Sequence, residues 1–345
     1  MKSIKRFHVI KTQIGEMELK TTLEIKPVEE KIHPHDRITS IGSCFADHIG
    51  SRFEEMKMDI LSNPYGIIYN PISQMRLIKS ALKGEDLNEE HIIENRDIYN
   101  HLDAHSIFGK KNLIELKDGI REASAKLKDY LETSKVLILT FGTAWVYRYE
   151  KTQDIIANCH KLPSQNFQKE LLELQDIIEE VSSTIAYLRE VNPKIRIILT
   201  VSPVRHTKDG IPENMLSKSI LRLAVHKIKT SIEKTYYFPA FELMMDDLRD
   251  YRFYAEDMIH PNNVARNFIW QRFRETFFSE PLFAYCDKWQ AIKNDLNHRV
   301  MNPGSEEHVQ FLEALYKKLS RFSVMGNVEE EMKHVEKELE DAKSQ

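Results

Sequence analysis

Cysteine is scarce in this chain and badly spaced for a structural role. Cys44, Cys159 and Cys286 are the three present in 345 residues. An odd number, far apart and with no CxxC pair, builds neither a disulfide framework nor a zinc pattern, and points to a reducing, cytoplasmic setting. Long apolar runs are also missing. The run at residues 136–141 is among the longest, far short of the roughly 20 residues that span a bilayer, so no membrane is expected as a partner. The opening segment MKSIKRFHVIKTQIGEMELK is basic but holds no continuous apolar stretch and no small-residue cleavage site, which argues against a secretion signal. Neither sign of charge dominates. With a net charge of −4 there is no global attraction to nucleic acid or to anionic lipid. There is no Gly-rich phosphate cradle, no internal repeat and no low-complexity tract. Cys159-His160 lacks a second ligand pair, so neither metal nor bound cofactor is expected.

What remains is a chain that is 41% hydrophobic and 30% charged, enough for a sizeable core under a well-solvated surface. Its length suits one large domain or two ordinary ones. Short β-rich runs at 37–42, 58–62, 135–142, 194–201 and 235–241 alternate with helix-like stretches at 72–82, 113–131, 167–188, 215–232 and 262–278. The strands V-L-I-L-T-F and I-R-I-I-L-T-V are continuously apolar, as strands buried on both faces are. Alternation with helices then predicts an α/β fold with a parallel, doubly wound sheet. Residues 84–112 and 145–163 break the alternation, the second with a hairpin-like V-Y-R-Y-E-K-T-Q-D-I-I-A. Both read as insertions over the C-terminal edge of the sheet, where α/β sites sit. Beyond Ser279 the chain turns helical and charged, and its end reads as a solvated helix.

Two stretches carry chemistry. I-G-S-C-F-A-D-H, residues 41–48, sets a Gly, a hydroxyl and a thiol between the first strand and the first helix. Such a turn is the usual place to hold a nucleophile against backbone N–H donors. Ser43 alone also reads as a helix cap, and Cys44 alone as a small buried hydrophobe. In Y-R-F-Y-A-E-D-M-I-H-P-N-N, Asp257 and His260 stand three residues apart before Pro261 at a helix start. That spacing lets a carboxylate fix the tautomer of an imidazole whose other nitrogen meets a nucleophile. Cys44, at the N-terminus of its own helix and next to a His, would be drawn toward thiolate.

Together with N-P-Y-G-I-I-Y-N-P (63–71), L-T-F-G-T-A-W (139–145), V-S-P-V-R-H (201–206) and D-M-I-H-P-N (257–262), the I-G-S-C-F-A motif resembles the GSCFA family, and through it the SGNH/GDSL hydrolases. The resemblance covers about residues 30–280, leaving 281–345 as a helical, charged extension. It implies a three-layer α/β/α fold and an enzyme that cleaves or transfers acyl esters, often on carbohydrates, so a small-molecule or carbohydrate acyl ester is the expected partner. The superfamily's G-D-S block falls on Gly42-Ser43-Cys44, which puts the thiol at the nucleophile's place, with Ser43 as the alternative. Its glycine donor falls on Gly66. Its G-x-N block falls on Gly142-Thr143-Ala144, so the Asn donor is missing; Thr143 is a candidate to supply a hydroxyl in its place, with a structural Thr at a strand end as the plainer reading. Asp257 and His260 match the last block unchanged.

His105, Arg205 and His206 are further candidates for a polar substrate cleft, with a solvated loop as the plainer reading. Trp145, Tyr147 and Tyr149 alternate on a strand, suited to stacking on sugar rings or to packing on the sheet. The missing Asn keeps a second class open, a catalytically inactive carbohydrate-binding or scaffold protein with the same fold.

Overall fold

The computed structural model describes residues 11–12, 15–16, 21–298 and 302–344. Most of the opening segment read for a secretion signal lies outside these residues. A two-residue pairing, β1 (Lys11–Thr12) with β2 (Gly15–Glu16), precedes the first sheet strand, β3 (Ile38–Gly42). Helix α1 (Cys44–Glu55), strand β4 (Ile60–Ser62) and helix α2 (Pro71–Lys83) follow. The hairpin β5 (Ile92–Asn95) and β6 (Ile98–His101) comes before α3 (Leu113–Thr133) and β7 (Val136–Phe141). A second excursion, β8 (Trp145–Tyr149), β9 (Ile155–Ile156) and β10 (Phe167–Leu171), leads to α4 (Leu174–Val191) and β11 (Arg196–Val201). Then come α5 (Ile211–Ser231), β12 (Thr235–Phe238) and the short α6 (Ala240–Glu242). Helices α7 (Asn263–Phe277), α8 (Glu280–Leu296), α9 (Glu306–Phe322) and α10 (Glu329–Lys343) complete the described chain.

Five strands form one parallel sheet in the order β12-β11-β7-β3-β4. Numbered within the sheet, that order is 2-1-3-4-5. The chain winds outward first to one side of β3 and then, from β7, to the other. Loops leaving the carboxyl ends of β3 and β7 therefore diverge, and the crevice between them is where doubly wound sheets bind ligands.

Alternation within the strands explains the two layers of helices. Leu137, Leu139 and Phe141 of β7 pack with α2–α5, while Val136 and Ile138 pack with α1, α7 and the C-terminal helices. Both faces are buried, which is why the strands read as continuous apolar runs.

Three expectations change. Residues 167–188 were expected as one helix. Instead Phe167–Leu171 pairs antiparallel with Trp145–Tyr149, from Phe167 opposite Tyr149 to Leu171 opposite Trp145. Phe167 and Leu171 fit a helical spacing equally well, and strand pairing decides. The last strand ends at Phe238, ahead of Pro239, whose missing N–H cannot extend the ladder. The C-terminal end is not a solvated helix: Val335 and Ala342 of α10 are buried in the same core as Leu315 and Leu319 of α9. Helix α8 also meets α1, with the Trp289 indole N–H donating to the Glu55 carbonyl at 2.6 Å and the Tyr285 hydroxyl to that of Lys57 at 3.1 Å. Those carbonyls lie at or just past the end of α1, where helices leave acceptors unpaired. No described helix is long and apolar enough to cross a membrane.

Candidate active site

Ser43 and Cys44 are adjacent but differ in role. Ser43 is fully buried. Its hydroxyl accepts from the Phe45 N–H at 3.3 Å, and its own N–H donates to the Thr140 carbonyl at 3.2 Å. It is the N-cap of α1. Cys44 begins the helix, is only partly buried, and lines a cavity of about 360 Å³.

The turn is fixed from both sides. A Cβ on Gly42 (φ +152°) would collide with the Thr140 carbonyl of β7, so glycine is needed for the strands to approach. The Gly42 N–H donates to the Asn63 side-chain oxygen at 2.7 Å, and the Asn63 amide donates in turn to Asp47 on α1.

His260 lines the same cavity. Its Nδ1 meets Asp257 Oδ2 at 2.6 Å, and the Ile259 and His260 backbone N–H groups both donate to Asp257 Oδ1 at 2.9 Å. Those three bonds, the His260 backbone donor foremost, hold the Asp257 carboxyl far below the usual carboxylate range. With Nδ1 occupied, Nε2 is the ring nitrogen left for chemistry.

Lys218 of α5 was not anticipated. It is 1% exposed, and its ammonium donates to the Gly142 carbonyl at 2.7 Å and to the Ser202 carbonyl at 2.8 Å, just past the ends of β7 and β11. Burial pulls its pKa down to about 7, opposed by Cys44. The signal was present in the helical spacing: Asn214, Ser217, Leu221, Val225 and Ile228 all face inward, and Lys218 belongs to that stripe.

The expected low thiol pKa of Cys44 is corrected by its surroundings. Burial pushes the thiol up. The Lys218 charge and the N–H groups of Cys44 and Phe45 pull it back, while Asp47 adds to the rise. Burial wins, but without the strong displacement of Cys159 and Cys286, each pushed up to about 11.

The oxyanion candidates change most. The Gly66 N–H donates to the Asn63 carbonyl at 2.7 Å in a turn with φ +75°, and the Gly142 N–H donates to the Tyr69 carbonyl at 2.8 Å. Neither is open to a ligand, which removes both as donors. Thr143 does line the cavity, its hydroxyl accepting from the Trp145 N–H at 3.0 Å and sharing a proton with Ser217 at 3.1 Å. His105 is displaced from the expected cleft: its ring caps a short turn by accepting from the Ile107 N–H at 3.4 Å, and it packs beside Gly66 outside the cavity lining.

Arg205 and His206 do line the cavity, with Trp145, Tyr147 and Tyr69. His206 packs edge-on to Tyr69, with ring centres 5.0 Å apart. Burial, with Lys218 and His260 nearby, lowers its pKa to about 3, so it is neutral at physiological pH. Tyr149 instead packs on Phe167 in the small sheet. Among the described residues no group of three His, Cys, Asp or Glu side chains is arranged to hold a metal. A larger cleft of about 870 Å³ lies elsewhere, between the end of α1 and the start of α10, and contains neither the cysteine nor the His–Asp pair.

Fold and cavity thus define a doubly wound α/β protein whose switch point brings a half-buried cysteine and a carboxylate-held histidine to one cavity. The model of the GSCFA family matches residues 37–273, and that of the C-terminal domain of GSCFA domain proteins matches residues 289–341. The chain belongs to the GSCFA family. No curated protein matches it.

Proposed function

We propose that the protein is an SGNH/GDSL-type esterase or acyltransferase that carries an acyl group as a thioester on Cys44. The observation that supports this most is the shared cavity: Cys44 at the first turn of α1 and His260 anchored by Asp257, although far apart in sequence, line the same space. In this reading His260 Nε2 takes the thiol proton as Cys44 Sγ attacks the ester carbonyl. The tetrahedral oxyanion rests on the Cys44 N–H at the start of α1 and on the Thr143 hydroxyl, which stands in for the missing Asn. Collapse breaks the ester C–O bond, and the departing alkoxide takes the proton from His260. Water or an acceptor hydroxyl then attacks the thioester, giving its proton to His260 and restoring the thiol. Asp257 holds the ring throughout and stays ionised.

The substrate is a small-molecule or carbohydrate acyl ester, for which the flat faces of Trp145, Tyr147 and Tyr69 offer stacking surfaces. Three free cysteines support a cytoplasmic setting. In organisation we read residues 30–280 as the α/β domain and 281–345 as its helical extension.

The occupied N–H groups of Gly66 and Gly142 favour one rival, a binding or scaffold protein that retains the site without turnover. Turnover of p-nitrophenyl and thioester acyl substrates separates the two. His260→Ala is expected to lose activity while staying folded, and Asp257→Asn to keep a fraction of it. Full activity in both variants sets aside the roles given to His260 and Asp257, and no turnover of any substrate favours the rival.

A further inference from the structure

The charge of the cavity is one-sided. Arg205 and Lys208 both line it, and among the described residues neither has a carboxylate within ion-pair distance. The acidic groups at the mouth are already paired: Asp209 with Lys169, and Asp257 with His260. The N-terminal end of α1 adds a partial positive charge directly at Cys44. One further carboxylate, Asp47 of α1, acts on Cys44 and is held by the Asn63 amide rather than by a cation.

Arg205 is also held for use. Its guanidinium lies over the Tyr254 ring at 3.9 Å and the Tyr251 ring at 5.1 Å. Its backbone N–H donates to the Ile259 carbonyl at 3.4 Å, which ties it to the loop that carries His260. A guanidinium stacked on two aromatic rings keeps its planar edge for a forked contact with a carboxylate or phosphate. Its own Nε and the neighbouring His206 Nε2 are buried polar atoms without a hydrogen-bond partner among the described residues. Buried polar atoms left unpaired call for a missing partner.

We propose that Arg205 and Lys208 form an anion subsite in the Cys44 cavity, so that the molecule presented to Cys44 carries a carboxylate or phosphate group as well as its acyl ester. This rests on the reading of Cys44 as the nucleophile and narrows its substrate class. A cavity of about 360 Å³ accommodates a small ligand of that kind. The subsite would also orient the ester, because a charged group fixed at one end of the cavity limits which carbonyl reaches the thiol.

The test compares two alkylating agents of similar size, anionic iodoacetate and neutral iodoacetamide, with site-resolved mass spectrometry of Cys44. A neutral model thiol, N-acetylcysteinamide, gives the intrinsic ratio of the two rates. At Cys44 the iodoacetate-to-iodoacetamide ratio is expected to exceed that of the model thiol by about tenfold at low salt. Arg205→Gln and Lys208→Gln should each bring it down severalfold while the iodoacetamide rate holds, as should added salt. A ratio equal to the model thiol's, or one insensitive to both substitutions, overturns the subsite.

The neutral reagent alone reports on the nucleophile, so the two readings fail separately. Should neither reagent reach Cys44, iodide quenching of Trp145 decides, since Trp270 and Trp289 are both buried. Quenching that falls in both Gln variants supports the subsite, and unchanged quenching overturns it. Protection of Cys44 from iodoacetamide by malonate, compared with protection by phenyl phosphate, tells carboxylate from phosphate.

Discussion

At the scale of single residues, one turn assigns opposite tasks to a hydroxyl and a thiol that are neighbours in sequence. Ser43 points back into the helix it caps, whereas Cys44 takes the next position and faces the cavity. Ser43→Ala should therefore leave Cys44 reactivity in place and lower stability by about 1 kcal/mol, the usual loss of an N-cap, read by urea unfolding. Cys44→Ala should abolish acyl chemistry. Lys218 predicts a second effect. Its charge draws the Cys44 thiol toward thiolate against the opposing pull of burial. Lys218→Met removes that charge, so the thiol pKa rises and the pH profile of Cys44 alkylation moves to higher pH. An unmoved profile would mean that the lysine serves only the Gly142 and Ser202 carbonyls. Lys218 was legible only through helical phase, because lysine ordinarily reads as surface. The Asp257 and His260 pair was legible outright, since residues three apart meet at a helix start without any tertiary information. The roles expected of Gly66 and Gly142 were not, because whether an N–H is open depends on carbonyls that only the folded chain brings near it.

Among the elements, the strands of the parallel sheet were readable because burial on both faces leaves an apolar run with no alternation. The segment 167–171 was misread because apolar residues four apart satisfy a helix, and also a short strand lying against Trp145–Tyr149. The C-terminal helices were undervalued for a related reason: their charge is concentrated on the outer face, and the inner face is narrow. They brace α1, whose other end carries Cys44. Trp289→Ala removes a buried ring and the N–H that satisfies the Glu55 carbonyl, which should cost about 3–5 kcal/mol by denaturant unfolding. The alkylation rate of Cys44 in the folded fraction is expected to stay close to that of the wild type. A loss below 1 kcal/mol would mean that α8 is peripheral to the fold.

For the whole molecule, the strand order places the switch point between β3 and β7, and the cavity follows from it. The fold also carries a pH dependence. Burial holds His48, His101 and His206 neutral, lowering their pKa values to about 4, about 4 and about 3 from 6.5. These folded values lie below the unfolded one, so as pH falls through 6.5 the unfolded chain takes up protons that the folded chain refuses. Stability is untouched by these groups above that pH and declines steadily toward pH 4. Thermal melts from pH 7.5 to 4 should show a falling midpoint, and His48→Gln, which removes one of the three, should flatten the slope. A midpoint flat over that range would contradict the buried, neutral state of these rings.

The central claim is that Cys44 is the residue acylated. Its most direct test is intact-mass and peptide mapping of the protein after brief incubation with a thioester acyl donor. The account predicts a single acyl adduct on the Cys44 peptide, absent from Cys44→Ala and strongly reduced in His260→Ala. An adduct on Ser43, or undiminished turnover by Cys44→Ala, would contradict it.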